Sequence, residues 1–148
     1  GKSDVVVATY YPLDSSFAAR APSMVAQDLA GLLAAVEVDG AVPRPILLQA
    51  VGYPSAIESG SSPEQQKAFF QALFQSLTSR RERFPFVSVN GLNDQRASAC
   101  ASEAAAVGAA GNVAAISAFC SLGLRGPAQT DKAAMGSVLD ALAAFSTP

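Results

Sequence analysis

The order of apolar and polar residues divides the chain into units in which a strand is followed by a helix. Asp4 to Tyr11 is a β-branched and aromatic run closed by Pro12 and Asp14. A run of that kind predicts a strand buried on both faces, as in parallel sheets. Val25, Leu29, Leu32 and Val36 then recur at helical spacing and form one apolar stripe. Pro22 lies near the start of that helix, where proline is tolerated, and Asp39-Gly40 ends the segment.

A second unit opens with Ile46 to Val51, and a loop runs from Gly52 to Ser61. Ser62-Pro63-Glu64-Gln65 has the form of a capping box, with proline at the first helical position. Phe69, Phe70, Leu73, Phe74 and Leu77 supply the buried face, as core residues and not a ligand box. Arg80, Arg81 and Arg83 are expected to close this helix, where cations suit its negative end. A third strand is expected in Phe84-Pro85-Phe86-Val87-Ser88-Val89, followed by a polar loop from Asn90 to Asp94. Between Ala97 and Ala118 the chain is mostly Ala, Gly and Ser, and one or two loose helical turns are expected. Ser121 to Gly126 is a turn-rich link, and a last helix is expected from near Thr130, using Met135, Val138, Leu139, Leu142 and Phe145.

Strands that alternate with helices in this way predict an α/β fold with a parallel sheet of about three βα units. Strands are expected near residues 4–11, 46–51 and 86–90, with Tyr10, Ala50 and Asn90 near one common edge. The length of 148 residues suits a single domain spanning 1–148. Half of the residues are apolar and 15% are charged, which is ample for a core. A formal charge of −2 gives no electrostatic footprint for nucleic acid. No apolar run approaches the roughly 18 residues of a membrane span.

Histidine is absent, which removes Ser-His and Cys-His activation and argues against a transition-metal site. No cofactor is expected. Cys100 and Cys120 are too few for a zinc site. They are either one disulfide in an oxidising compartment or two small buried apolar residues.

Several segments, in one order, carry a resemblance. They are Thr9-Tyr10-Tyr11-Pro12-Leu13, Gln49-Ala50-Val51-Gly52-Tyr53-Pro54-Ser55, and Ser62-Pro63-Glu64-Gln65-Gln66 with Phe69-Phe70. Phe86-Val87-Ser88-Val89 with Leu92-Asn93-Asp94, and Phe119-Cys120-Ser121-Leu122-Gly123-Leu124, complete the series. Together they resemble the sixth, seventh and eighth strands of retaining (β/α)8-barrel glycoside hydrolases and the run into the final helix. The seventh strand of that family is expected to read Leu-Gln-Glu-Val-Gly-Tyr-Pro-Ser, so the nucleophile position is held here by Ala50.

The resemblance implies the C-terminal part of a TIM barrel, which needs eight strands. A three-strand piece leaves two edges and an apolar interior exposed, so self-association or a missing N-terminal barrel segment is expected to cover them. The first strand, beginning four residues into the chain, looks like an entry into the middle of a larger fold. The implied activity is O-glycosyl hydrolysis in a secreted or cell-envelope protein, with carbohydrate as partner. Retaining hydrolysis needs two carboxylates about 5–5.5 Å apart. The acid/base strand has no counterpart and the nucleophile is a methyl group, so impaired catalysis is expected.

Two other carboxylates are candidates. Glu58 lies in the loop after the second strand and is either a displaced catalytic acid or a solvated loop residue. Asp94 follows the third strand and is either catalytic or a turn-forming aspartate. Tyr10, Tyr11 and Tyr53 lie at C-terminal strand ends, where they stack on sugar or pack the rim. Gln49 and Asn93 are further substrate-binding candidates, with Gln49 either a core polar residue or pointing into the barrel mouth. The alternatives to an impaired hydrolase are an active glycosidase whose oligomer rebuilds the cleft, and a non-catalytic carbohydrate-binding or scaffold domain.

Overall fold

The structure, a computed structural model, describes residues 4–37 and 43–146. Three parallel strands form one sheet: β1 (Val6–Tyr10), β2 (Ile46–Val51) and β3 (Phe86–Val89), in that spatial order. The helices are α1 (Val25–Val36), α2 (Pro63–Thr78), α3 (Ala97–Ala106), α4 (Val113–Cys120) and α5 (Ala134–Ser146). The expected α/β class and the three strand positions are therefore observed. The Asp39-Gly40 stop lies outside the described residues.

Register explains which sheet face is covered. Ile46 pairs with Val6, Leu48 with Ala8 and Val87, and Val51 with Tyr10 and Val89. Partners across a parallel pair share a face, and these pack against Val25 and Leu29 of α1, Phe69, Phe70 and Leu73 of α2, and Met135 and Val138 of α5. The opposite face carries Val7, Leu47 and Phe86, which pair in one row. Val7 is 55% and Phe86 49% exposed. The expectation of strands buried on both faces therefore holds for one face only, because the core cluster forms on the helical side.

The helices follow their local chemistry. Pro63 opens α2, and the Ser62 hydroxyl accepts from the Gln65 N–H at 3.2 Å, one arm of the capping box. The arginines expected to close α2 lie in the turn just beyond Thr78. There Arg83 pairs with Glu37 at 2.7 Å and the Arg81 guanidinium lies 5.4 Å from the Phe145 ring centre. The Ala-rich stretch is more ordered than loose turns: α3 and α4 pack through Ala104, Ala109 and Ala115. Cys100 and Cys120 form a disulfide between them. The last helix starts at Ala134, four residues later than Thr130, because Arg125 bridges Asp131 and holds the intervening segment in a turn.

Candidate functional site

A bulge at the C-terminal end of β2 orients the site. Between Ala8 and Thr9 the partners on β2 jump from Leu48 to Ala50, so Gln49 is an extra residue. The bulge returns Val51 to the core and leaves Ala50 paired with Thr9. Thr9 is exposed, on the face of Val7 and away from the helices. Ala50 is thus half-buried on the helix-free face, at the end where the strands run out, and Gln49 is exposed. The Gly52 N–H donates to Tyr10 O and the Asn90 N–H to Val51 O, which aligns the three strand ends. Tyr10, Ala50 and Asn90 share that edge, as expected.

The three tyrosines separate. Tyr53 is fully buried, stacks on Phe69 with ring centres 4.7 Å apart, and donates its hydroxyl to Arg20 O at 2.8 Å. Tyr10 also contacts Phe69 and donates to Asp28 Oδ2 at 2.9 Å, while Arg20 bridges the same carboxylate. Burial pushes the Tyr10 hydroxyl far above its ordinary range, and the bond to ionised Asp28 adds to this. Tyr10 and Tyr53 therefore brace the helical side.

Tyr11 goes the other way. Its ring lies over Gly52, where an added Cβ would sit 2.8 Å from Cε1, so glycine is the residue that leaves it room. With Asn90, Glu103, Ala106, Val107, Phe119 and Leu122 it lines a pocket of about 290 Å³. Burial raises the Tyr11 pKa, and the nearby Glu103 charge raises it further. Glu103 was not among the sequence candidates. The available signal was its isolation, since it is the one charged residue between Ala97 and Phe119.

Asp94 has a different environment. Its Oδ1 accepts from Lys132 Nζ at 2.6 Å and from the Gly123 N–H at 3.0 Å. Lys132 also donates to Ser55 Oγ at 2.9 Å and Ser121 O at 3.1 Å. Three ammonium protons meet three acceptors, so Lys132 has no lone pair to offer Ser55 as a base. Burial lowers the Lys132 pKa, opposed by its bond to Asp94. Asp94 and Asn93 border a second cavity of about 860 Å³, walled also by Arg96, Cys120, Ser121 and Gln129. The Asn93 side chain is exposed while its backbone bridges Arg125. Glu58 is exposed on the short 3-10 turn Ile57–Ser59.

Gln66 joins these parts. It is fully buried and donates from Nε2 to Tyr53 O at 2.8 Å and Gly123 O at 3.2 Å. Its side chain therefore ties the loop after β2 to the segment after α4. Among the described residues no cluster of three or more His, Cys, Asp or Glu is placed to hold a metal ion. No described helix is long and apolar enough to cross a membrane.

No family model matches the sequence, and no curated protein matches it. Two solved structures share its fold. A GH2 β-galacturonidase from Eisenbergiella tayi matches with a TM-score of 0.65 at 19% identity, over 95% of this chain and 24% of that one. A β-glucuronidase from Faecalibacterium prausnitzii matches with a TM-score of 0.62 at 15% identity, over 97% of this chain and 22% of that one. The chain thus spans about a quarter of the length of either structure. At these identities the likeness is one of fold: the chain is built like a portion of these glycosidases.

Proposed function

We propose that this chain is a carbohydrate-active domain of glycoside-hydrolase type whose hydrolytic step is impaired by alanine at position 50. The observation that carries the reading is the position of Ala50, at the C-terminal end of a parallel strand and on the helix-free face. In a (β/α)8 barrel that face is the interior and that end is the active one. A glutamate there would face a bound sugar. A methyl group has no lone pair with which to attack the anomeric carbon.

In this reading the chain corresponds to the last three βα units of a barrel. Further βα units or another copy of the chain cover Val7, Leu47 and Phe86. Tyr11 and Gln49 contact sugar from the open side, Asn93 from the rim, and Tyr10 and Tyr53 stiffen the strand ends behind them. A secreted or cell-envelope location accords with the Cys100–Cys120 disulfide.

A non-catalytic binding role is favoured over a cleft rebuilt around another carboxylate. Asp94 Oδ1 is already engaged by Lys132 and the Gly123 N–H, and Glu58 stands in solvent. The test pairs calorimetric titration of oligosaccharides with turnover of a panel of aryl glycosides. Binding without turnover is the expected result. Turnover would overturn the impairment, and its loss in Glu58→Gln, or in Asp94→Asn at a temperature where that variant is still folded by circular dichroism, would name the displaced carboxylate. No heat with any saccharide would overturn the carbohydrate reading.

A further inference from the structure

The pocket beside Tyr11 holds polar groups that the fold leaves unused. Tyr11 and Asn90 line it, and neither side chain has a hydrogen bond among the described residues. Glu103 accepts from Gln95 Nε2 at 3.0 Å through Oε1, which leaves Oε2 free. Val107, Phe119 and Leu122 also line it, with Val107 55% exposed. A hydroxyl, an amide and a carboxylate among apolar side chains suit a molecule with hydroxyls on its rim and C–H groups on its face.

Size and charge narrow the ligand. A volume of about 290 Å³ is at the small end of ligand pockets and suits one ring. Glu103 is the one formally charged residue lining it, and no Lys or Arg does so among the described residues. A ligand carboxylate would meet like charge with no cation to offset it. The pocket also adjoins the end of β2, since Tyr11 lies on Gly52, two residues beyond Ala50.

We propose that this pocket is a subsite for one uncharged pyranose ring, with Glu103 accepting from ring hydroxyls and selecting against uronic acids. The inference rests on the carbohydrate reading above and adds its substrate class. Glu103 acts here as a binding and specificity residue.

The test is an amide chemical-shift titration of the 15N-labelled chain at pH 7. One probe is methyl β-D-glucopyranoside and the other is methyl β-D-glucopyranosiduronate. The neutral glycoside is expected to move the amides of Asn90, Val107 and Leu122. The uronate is expected to bind about fivefold more weakly, the size of one like-charge contact near the surface. Glu103→Gln is isosteric at an exposed site, and an otherwise unchanged spectrum shows that it folds. In that variant the preference for the neutral sugar should collapse toward parity. Equal or tighter uronate binding to the parent chain would overturn the proposal, as would an unchanged preference in Glu103→Gln. Shifts confined to residues 93–97 would move the sugar to the larger cavity, refuting this subsite while the carbohydrate reading stands. No shift with either probe also refutes it, and the calorimetric titration of oligosaccharides then decides the broader reading separately.

Discussion

Lys132 holds its ammonium nitrogen 2.6 Å from Asp94 Oδ1, and both side chains are about nine-tenths shielded, at 11% and 10% exposure. The pair joins the loop after β3 to the lead into α5. Through Ser55 and Ser121 the same ammonium reaches the loop after β2 and the end of α4. Four chain segments around the strand ends therefore share one charge.

Removing either partner should leave the other poorly compensated. Lys132→Met and Asp94→Asn are each expected to cost about 3–5 kcal/mol, the range for breaking a buried pair. The double variant should cost less than the sum. Urea denaturation of the four proteins completes the cycle, and simple additivity would show that the two groups act independently.

Tyr10 should make the fold sensitive to alkali. Its pKa is raised from 10.0 in the folded state, chiefly by burial and then by Asp28. The contribution is fully present below pH 10.0 and is lost as pH rises above it, because the unfolded chain then gives up a proton that the folded chain retains. Tyr10→Phe should cost about 1–2 kcal/mol at pH 7 through the lost bond to Asp28. The variant should lose less stability than the parent between pH 9 and pH 11. Parallel losses in denaturant melts at both values would refute the assignment.

Two glycines should respond oppositely to alanine. A Cβ on Gly123 would collide with the Asn93–Asp94 peptide, whose backbone cannot step aside. Gly123→Ala should cost about 3 kcal/mol, the upper end of overpacking. Gly136, inside α5, has open space at that position, and Gly136→Ala should add about 0.5–1 kcal/mol. Thermal melts of the two variants should move in opposite directions.

The disulfide should carry much of the α3–α4 hairpin. The core there is Ala104, Ala109 and Ala115, which bury little area. Cys100 and Cys120 are 20 residues apart, and removing such a crosslink typically costs about 3 kcal/mol. Reduction should speed amide exchange in 97–120 before it does so in β2. Uniform exchange across the chain would show that the hairpin is not a separate unit.

Ala50→Glu should not by itself give turnover of an unactivated oligosaccharide. A second carboxylate about 5 Å away is needed to protonate the leaving group, and Asp94 is tied to Lys132. An activated aryl fluorosugar needs no proton on its leaving group, so slow formation of a glycosyl-enzyme is expected and mass spectrometry would detect it. Full turnover by the single substitution would reveal an acid/base elsewhere in the chain or its oligomer.

The elements themselves were legible in the sequence because they depend on local pattern. The short apolar runs at 6–10 and 46–51, each followed by a proline, favour strands over helices. The stripe from Val25 to Val36 specifies a helix, and Ser62 with Pro63 specifies where α2 begins. The α3–α4 region was less legible because alanine supplies helix propensity but little amphipathic contrast.

Which side chains meet was decided only in three dimensions. Tyr10, Tyr11 and Tyr53 look alike along the chain. One extra residue at Gln49 and the strand pleat send Tyr10 and Tyr53 to the helices and Tyr11 to the open pocket. Asp94 reads as a turn residue until Lys132, 38 positions away, arrives beside it. Glu103 reads as a solvated helix charge until α3 sets it near the end of β1. Local sequence carries the period of burial, whereas contacts between distant residues depend on register and crossover, which follow from the packing of the whole chain.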